Sequence, residues 1–257
     1  MAAYLRGRTN LVTAALDDVN SGVTFTYHNG VRERRASMAK IDILSDLLYE
    51  SQVHHQPLTK KQETLASAMI EHSSNSATIK LWSQIGGRFA LDGFNTMIGF
   101  RDTISSYTWG DIETTPLDQL QLLKVIALAN RFLDATSREY EMTLMEGVIS
   151  SERSGLGWGS PAKATVGLKD GWYRETVTGW QLKTSGFVRY QGRFYLVTAL
   201  ATENLNENYG VSTLTTMASD VWKFLEPEAP GDLARTQSKE VARTAFFARP
   251  LEFKEAF

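Results

Sequence analysis

Ser37 and Lys40 stand three residues apart at the head of an apolar helical run, in which Ile41, Leu44, Leu47 and Leu48 recur at helical spacing and Ile43 marks a second buried side. Positions i and i+3 share a helix face, so the lysine amine can lie beside the serine hydroxyl. A helix start carries free N–H groups and partial positive charge, which disfavours a second cation and favours a neutral amine. A neutral amine is a base, and a base beside a hydroxyl makes a nucleophile. The spacing alone is weak evidence, because Ser-x-x-Lys arises often by chance. Ser37 as a simple helix cap and Lys40 as a solvated charge stay open at this point.

Two further short clusters follow. Ser73-Ser74-Asn75 falls between two expected helices, and Lys169-Asp170-Gly171 falls inside an expected strand. Each has an ordinary alternative: Ser73 as a cap, Asn75 as a turn former, Lys169 as a surface charge.

Strands are expected at Val12–Leu16 and Val23–Tyr27, joined by a turn at Asn20-Ser21-Gly22. Helices are expected over Ser37–Tyr49, Thr59–Glu71, Ser76–Ile85, Pro116–Phe132 and Ser137–Val148, with Pro116 in a first turn and Ser137 as an N-cap. Gly99–Thr115 reads as a long loop. Strands return at Ala164–Trp172, Trp180–Tyr190 and Arg193–Thr202, the last two joined at Gln191-Gly192, and a final helix carries Leu214, Ala218, Val221 and Leu225 on one face. Strands at both ends with helices between imply an α+β fold: an antiparallel sheet built from both chain ends, flanking terminal helices, and a helical block across a cleft. The expected domain covers 1–226, with its sheet part at about 1–36 and 160–226 and its helical part at about 37–159. An extension at 227–257 carries Phe246, Phe247, Leu251, Phe253 and Phe257. That tail could dock on its own domain, bind a partner or cover the cleft.

Composition narrows the function classes. Apolar residues make up 42% of 257, net charge is −2, and there is no cysteine. A full core is affordable, a nucleic-acid surface is disfavoured, and thiol catalysis, disulfides and cysteine zinc sites are excluded. No stretch reaches the length of a membrane span. With no export signal in the sequence as written, a cytoplasmic protein is expected, or a secreted one if a signal has been trimmed. His54-His55 lack an evident third ligand and read as exposed, so no metal is expected. Arg32-Glu33-Arg34-Arg35 reads as a solvated strand end that could attract an anionic substrate. Tyr107, Trp109, Trp158 and Trp172 are candidates to line the cleft.

Ser-x-x-Lys, Ser-x-Asn and Lys-x-Gly, in this order, resemble the three boxes of the class A serine β-lactamase and penicillin-binding protein superfamily. Thr114-Thr115-Pro116 resembles the segment after the omega loop of class A enzymes. From about Tyr4 to Leu225 the chain is similar to these proteins, especially to an actinobacterial group of β-lactamase-related serine hydrolases. Lys183-Thr184-Ser185-Gly186 is a rival for the third box. In that superfamily two strands and a helix follow the box strand, so the resemblance implies Lys169 as the box lysine and leaves Lys183 as an ordinary residue of the next strand.

The resemblance implies a role for each residue. Ser37 attacks a carbonyl and forms an acyl-enzyme. Lys40 takes its proton, Lys169 keeps Lys40 neutral by repulsion, and Ser73, between the two lysines, relays a proton to the leaving group. Asn75 binds a substrate amide and holds Lys40. The backbone N–H groups of Ser37 and Trp172 form the oxyanion hole, and Gly171 leaves room for substrate. No cofactor is implied, and the partner is a small-molecule or peptide-like substrate.

Three departures qualify this. Asp170 replaces a hydroxyl residue and would repel the carboxylate of penicillins, unless it turns away to pair with an arginine, so a poor penicillin hydrolase is expected. The loop lacks the deacylating glutamate of class A enzymes, and Asp102 is the nearest substitute. Ser74 replaces a largely structural aspartate. A serine hydrolase acting on an amide, ester or lactam leads. An intracellular tailoring enzyme (acyl transfer, cyclisation or non-covalent catalysis) and a non-catalytic binding protein on the same fold are the alternatives.

Overall fold

The structure, a computed structural model, describes residues 2–225, so the extension at 227–257 lies outside the described residues. Helix α1 (Ala2–Arg6) leads into strands β1 (Leu11–Asp18) and β2 (Val23–Tyr27). Their turn closes where the Gly22 N–H donates to the Asp18 carbonyl at 2.8 Å, and Gly22 takes φ 70°, a left-handed conformation that costs glycine little. Strand β3 (Glu33–Arg34) introduces the helical block: α2 (Ala39–Val53), α3 (Lys60–Ile70), α4 (Asn75–Gln84) and α5 (Arg88–Ile98). Strand β4 (Glu113–Thr114), α6 (Pro116–Ala127), α7 (Ala135–Glu146) and α8 (Gly155–Gly159) complete it. Strands β5 (Thr165–Glu175), β6 (Gly179–Tyr190) and β7 (Arg193–Asn204) then return to the sheet, followed by α9 (Glu207–Leu225).

The five long strands make one antiparallel sheet in the order β2-β1-β7-β6-β5. The two chain ends meet where β1 pairs with β7, from Leu11↔Thr202 to Asp18↔Tyr195. The fold is α+β with the split sheet that the strand order predicts. Because β6 is covered on both faces, every residue from Gln181 to Val188 is buried. The helical block buries Ile41, Leu44, Met69 and Leu122 in the larger apolar core. Leu5 of α1 and Leu214 and Met217 of α9 pack with Val12, Leu182 and Ala199 in a second cluster. Among the described residues no helix is long and apolar enough to cross a membrane.

Local chemistry moved several expected boundaries. The Asn130 side chain donates to the carbonyls of Val125 and Leu128 and accepts from the N–H groups of Phe132 and Leu133. This turn ends α6 at Ala127, short of Phe132. The cap of α7 is Asp134, which accepts from the Ser137 N–H at 2.8 Å, and not Ser137 itself. Helix α5 was not expected. Its buried face is Leu91, Phe94 and Ile98, and glycines with positive φ, Gly87 and Gly99, bound it.

Candidate active site

Ser37 lies in a 3-10 turn, Ala36–Met38, immediately before α2, and Lys40 is the second residue of that helix. Ser73 sits in the turn between α3 and α4, and Asn75 opens α4 behind the N-cap Ser74, whose hydroxyl accepts from the Ala77 N–H. Both turns carry strain beside the serines: Ala36 has φ 49° and Ser73 φ 52°, left-handed values that cost a residue with a Cβ.

The fold brings these groups onto one amine. Lys40 Nζ lies 3.0 Å from Ser37 Oγ, 2.9 Å from Ser73 Oγ, 2.9 Å from Asn75 Oδ1 and 2.6 Å from the Ser73 carbonyl oxygen. The carbonyl and amide oxygens can only accept, whereas the hydroxyls can donate. In its neutral form the amine gives two N–H bonds to the two carbonyl-type oxygens and turns its lone pair to a hydroxyl proton. Lys40 is fully buried, and the indole of Trp109 lies over it, 5.0 Å from Nζ to ring centroid. Burial, and then the charge of Lys169, hold its pKa down at about 7, against a smaller upward pull from Glu152.

Lys169 is mid-strand on β5, the sheet edge that passes the nucleophile. A Cβ on Gly171 would come within 2.8 Å of the Ser37 nitrogen, so this glycine permits the close approach. Burial lowers the Lys169 pKa to about 8, partly offset by Asp170 and Glu152. Its amine donates to the Asp170 carbonyl at 3.1 Å and is not hydrogen-bonded to Ser73. The expected bridge Lys40–Ser73–Lys169 is therefore made on the Lys40 side only.

The structure corrects other expectations. Asp170 is fully buried and turned from the cleft. One carboxylate oxygen accepts from the N–H and the hydroxyl of Ser154, at 2.6 and 2.7 Å, so it cannot repel a substrate carboxylate at contact range. Asp102 is exposed and ion-paired with Arg32 at 3.0 Å, outside the cleft wall. Trp158 and Tyr107 are also away from that wall, 60% and 75% exposed. Lys183 is no ordinary strand residue: it is buried and ion-paired with Glu33 at 2.5 Å. The Arg32–Arg35 run is only partly a solvated strand end, because Arg35 is fully buried against Asp42.

A cleft of about 280 Å³ opens at Ser37 and Asn75. Trp172 and Tyr173 of β5 form one wall, and Trp109 and Asp111 of the loop before β4 form another. Ala36 and Arg34 line the end nearest β3. Arg34 reaches Glu175 at 3.0 Å and Asp111 at 3.8 Å. Sequence reasoning missed Tyr173, Asp111 and Glu152. A signal for Tyr173 was available, since it follows Trp172 on the strand of the third box.

Comparison with known proteins defines the class. The Beta-lactamase enzyme family matches residues 11–225, and the chain belongs to that family. Its architecture is that of the class A β-lactamase and penicillin-binding protein superfamily. The TLA-1 extended-spectrum β-lactamase superposes with a TM-score of 0.76 at 15% identity, over 85% of this chain and 95% of that one. A β-lactamase from Xanthomonas campestris pv. campestris gives 0.75 at 20%, over 86% and 94%. A PBP-A mutant held as an acyl-enzyme with penicillin G gives 0.75 at 17%, over 86% and 92%. At these identities the likeness is one of fold. No curated protein matches the chain.

Proposed function

We propose that this chain is a serine hydrolase that works through an acyl-enzyme on an amide, ester or lactam. The observation that carries the proposal is the buried Lys40 amine, held within hydrogen-bond distance of Ser37 Oγ, Ser73 Oγ and Asn75 Oδ1. Its lone pair is free for the Ser37 proton, so Ser37 Oγ attacks the carbonyl carbon while Lys40 serves as general base. Ser73, 2.9 Å from the same amine, returns the proton to the leaving group. Burial, and then Lys169, hold the Lys40 pKa down, Asn75 fixes the amine and receives a substrate amide, and the N–H groups of Ser37 and Trp172 take up the oxyanion. Gly171 gives the backbone clearance this needs. The resemblance to actinobacterial serine hydrolases is consistent with the same chemistry.

Penicillin hydrolysis is expected to be poor, for a reason other than repulsion by Asp170. With its side chain committed to Ser154, the third box offers a penicillin carboxylate no side-chain hydroxyl. The loop acid on the cleft wall, Asp111, faces Arg34, while Trp109 covers Lys40. That indole favours a second reading, a tailoring enzyme in which an amine or alcohol accepts the acyl group in place of water. Intact-protein mass after incubation with a fluorophosphonate or an activated ester tests both. One adduct is expected, lost in Ser37→Ala. No adduct with either probe would overturn both readings and favour non-covalent catalysis or a binding protein on the same fold.

A further inference from the structure

A buried ion pair sits at the step from β3 into the nucleophile turn. Arg35 and Asp42 are both fully buried, and Arg35 Nη1 donates to Asp42 Oδ2. The same carboxylate oxygen accepts from Asn95 Nδ2 of α5 at 3.3 Å. The partners bracket Ser37 and Lys40 in sequence: Arg35 comes before Ser37, and Asp42 follows Lys40 in the first turn of α2. Neither lines the cleft. We propose that Arg35 and Asp42 are positioning residues for the nucleophile, which fasten the turn of Ser37 to the helix of Lys40 and so set the separation of Oγ from Nζ. This inference rests on the acyl-enzyme reading above.

The turn needs such a fastening. Ala36, between Arg35 and Ser37, has φ 49°, a left-handed conformation that persists only where its surroundings hold it. Neither the turn nor α2 has a side-chain cap. Among the described residues, Arg35–Asp42 is the side-chain hydrogen bond that spans this junction besides the Lys40–Ser37 contact itself. The Arg35 backbone is anchored as well: its N–H donates to the Ile112 carbonyl at 3.0 Å, and its carbonyl accepts from the Met38 N–H at 3.1 Å. The guanidinium completes a clamp on the residue that leads into the strained one. Stability alone accounts poorly for the pair. Two buried charges lose their hydration, and an apolar pair of similar volume often serves a fold as well or better. Arg35 Nε and Nη2 and Asp42 Oδ1 have no hydrogen-bond partner among the described residues, which weakens the pair as a stabiliser. Nor does Arg35 tune the base, because burial, Lys169 and Glu152 are what move the Lys40 pKa. Geometry remains, and a misplacement of about 1 Å at a reacting group costs about 100-fold in rate.

The test removes both charges at once in the full chain and reads stability and Ser37 reactivity separately. Arg35→Met combined with Asp42→Leu leaves no unpaired buried charge, so this double variant is expected to melt at or above the wild-type temperature. A fluorophosphonate reads the nucleophile: Ser37 Oγ bonds to phosphorus, fluoride leaves, and the serine proton passes to Lys40. That rate should fall by about 10-fold to 100-fold in the double variant. With an activated ester, kcat should fall while KM stays near the wild-type value, because the cleft walls are unchanged. Arg35→Lys keeps a cation for Asp42 and should recover part of the rate. A double variant that folds and reacts as fast as wild type would overturn the positioning role and leave the acyl-enzyme reading standing. A double variant that does not fold would also overturn it, since the pair would then hold the fold and not the turn. A wild-type chain that takes no adduct from the fluorophosphonate or the ester would overturn the underlying reading, and this inference with it.

Discussion

Lys169 and Lys183 sit on adjacent strands, both buried, both in stretches that resemble a Lys-x-Gly box. Lys183 on β6 spends its charge on Glu33 at 2.5 Å, and so ties the central sheet to β3, four residues ahead of Ser37. Lys169 on β5 has a backbone carbonyl as its hydrogen-bond acceptor, and its charge acts on Lys40 instead. Sequence gives the two lysines nearly the same surroundings, and a carboxylate partner separates them. A buried cation ion-paired to a carboxylate holds structure, and one with no ion pair among the described residues is left to bias a neighbour's protonation.

Breaking the paired lysine should have the larger effect. Lys183→Met strands the buried Glu33 carboxylate, and a loss of about 3–5 kcal/mol is expected in chemical denaturation. Activity should then fall with the folded fraction. Lys169→Met should leave most stability intact but slow Ser37 acylation, and should move the alkaline rise of the rate to higher pH. The sign follows from charge: removing a neighbouring cation raises the Lys40 pKa. Equal loss of fold in both variants would erase the distinction.

The smallest effect lies on the same helix as Lys40 but away from the cleft. Asp46 is almost fully buried, one of its oxygens has no hydrogen-bond partner, and burial, with help from Glu50 and Asp42, raises its pKa to about 7. A raised folded pKa contributes stability below the unfolded value, and that contribution is lost as pH rises through about 7. Asp46→Asn is therefore expected to raise the melting temperature at pH 8 by about 2–4 °C, with little gain at pH 4. A melting temperature unchanged at both pH values would remove Asp46 as a pH-dependent cost.

Much of the fold was legible because its signals are local. Hairpin turns at Gly22 and Gly192, β-branched strands and Pro116 in a first helical turn each announce themselves within a few residues. Helix α5 was missed because Gly93 interrupts it and glycines crowd both ends. The boxes could be read from residue types and order, but side-chain direction could not. Whether Asp170 faces the cleft depends on Ser154 arriving from the turn before α8, a contact across sixteen residues. The partners of Arg34 come from β5 and from a loop without periodicity, and no spacing in the chain encodes them.

The central claim is that Lys40 loses its proton near pH 7 and in its neutral form takes the Ser37 proton. The most direct test is the rate of Ser37 acylation by an activated ester against pH, in wild type and in Lys40→Ala. The expected wild-type rate rises with pH around a midpoint near 7, where burial and Lys169 hold the amine. In Lys40→Ala that limb should vanish and the rate fall by about 10²–10⁴-fold. A midpoint near 10, or a Lys40→Ala profile that matches wild type, would contradict it.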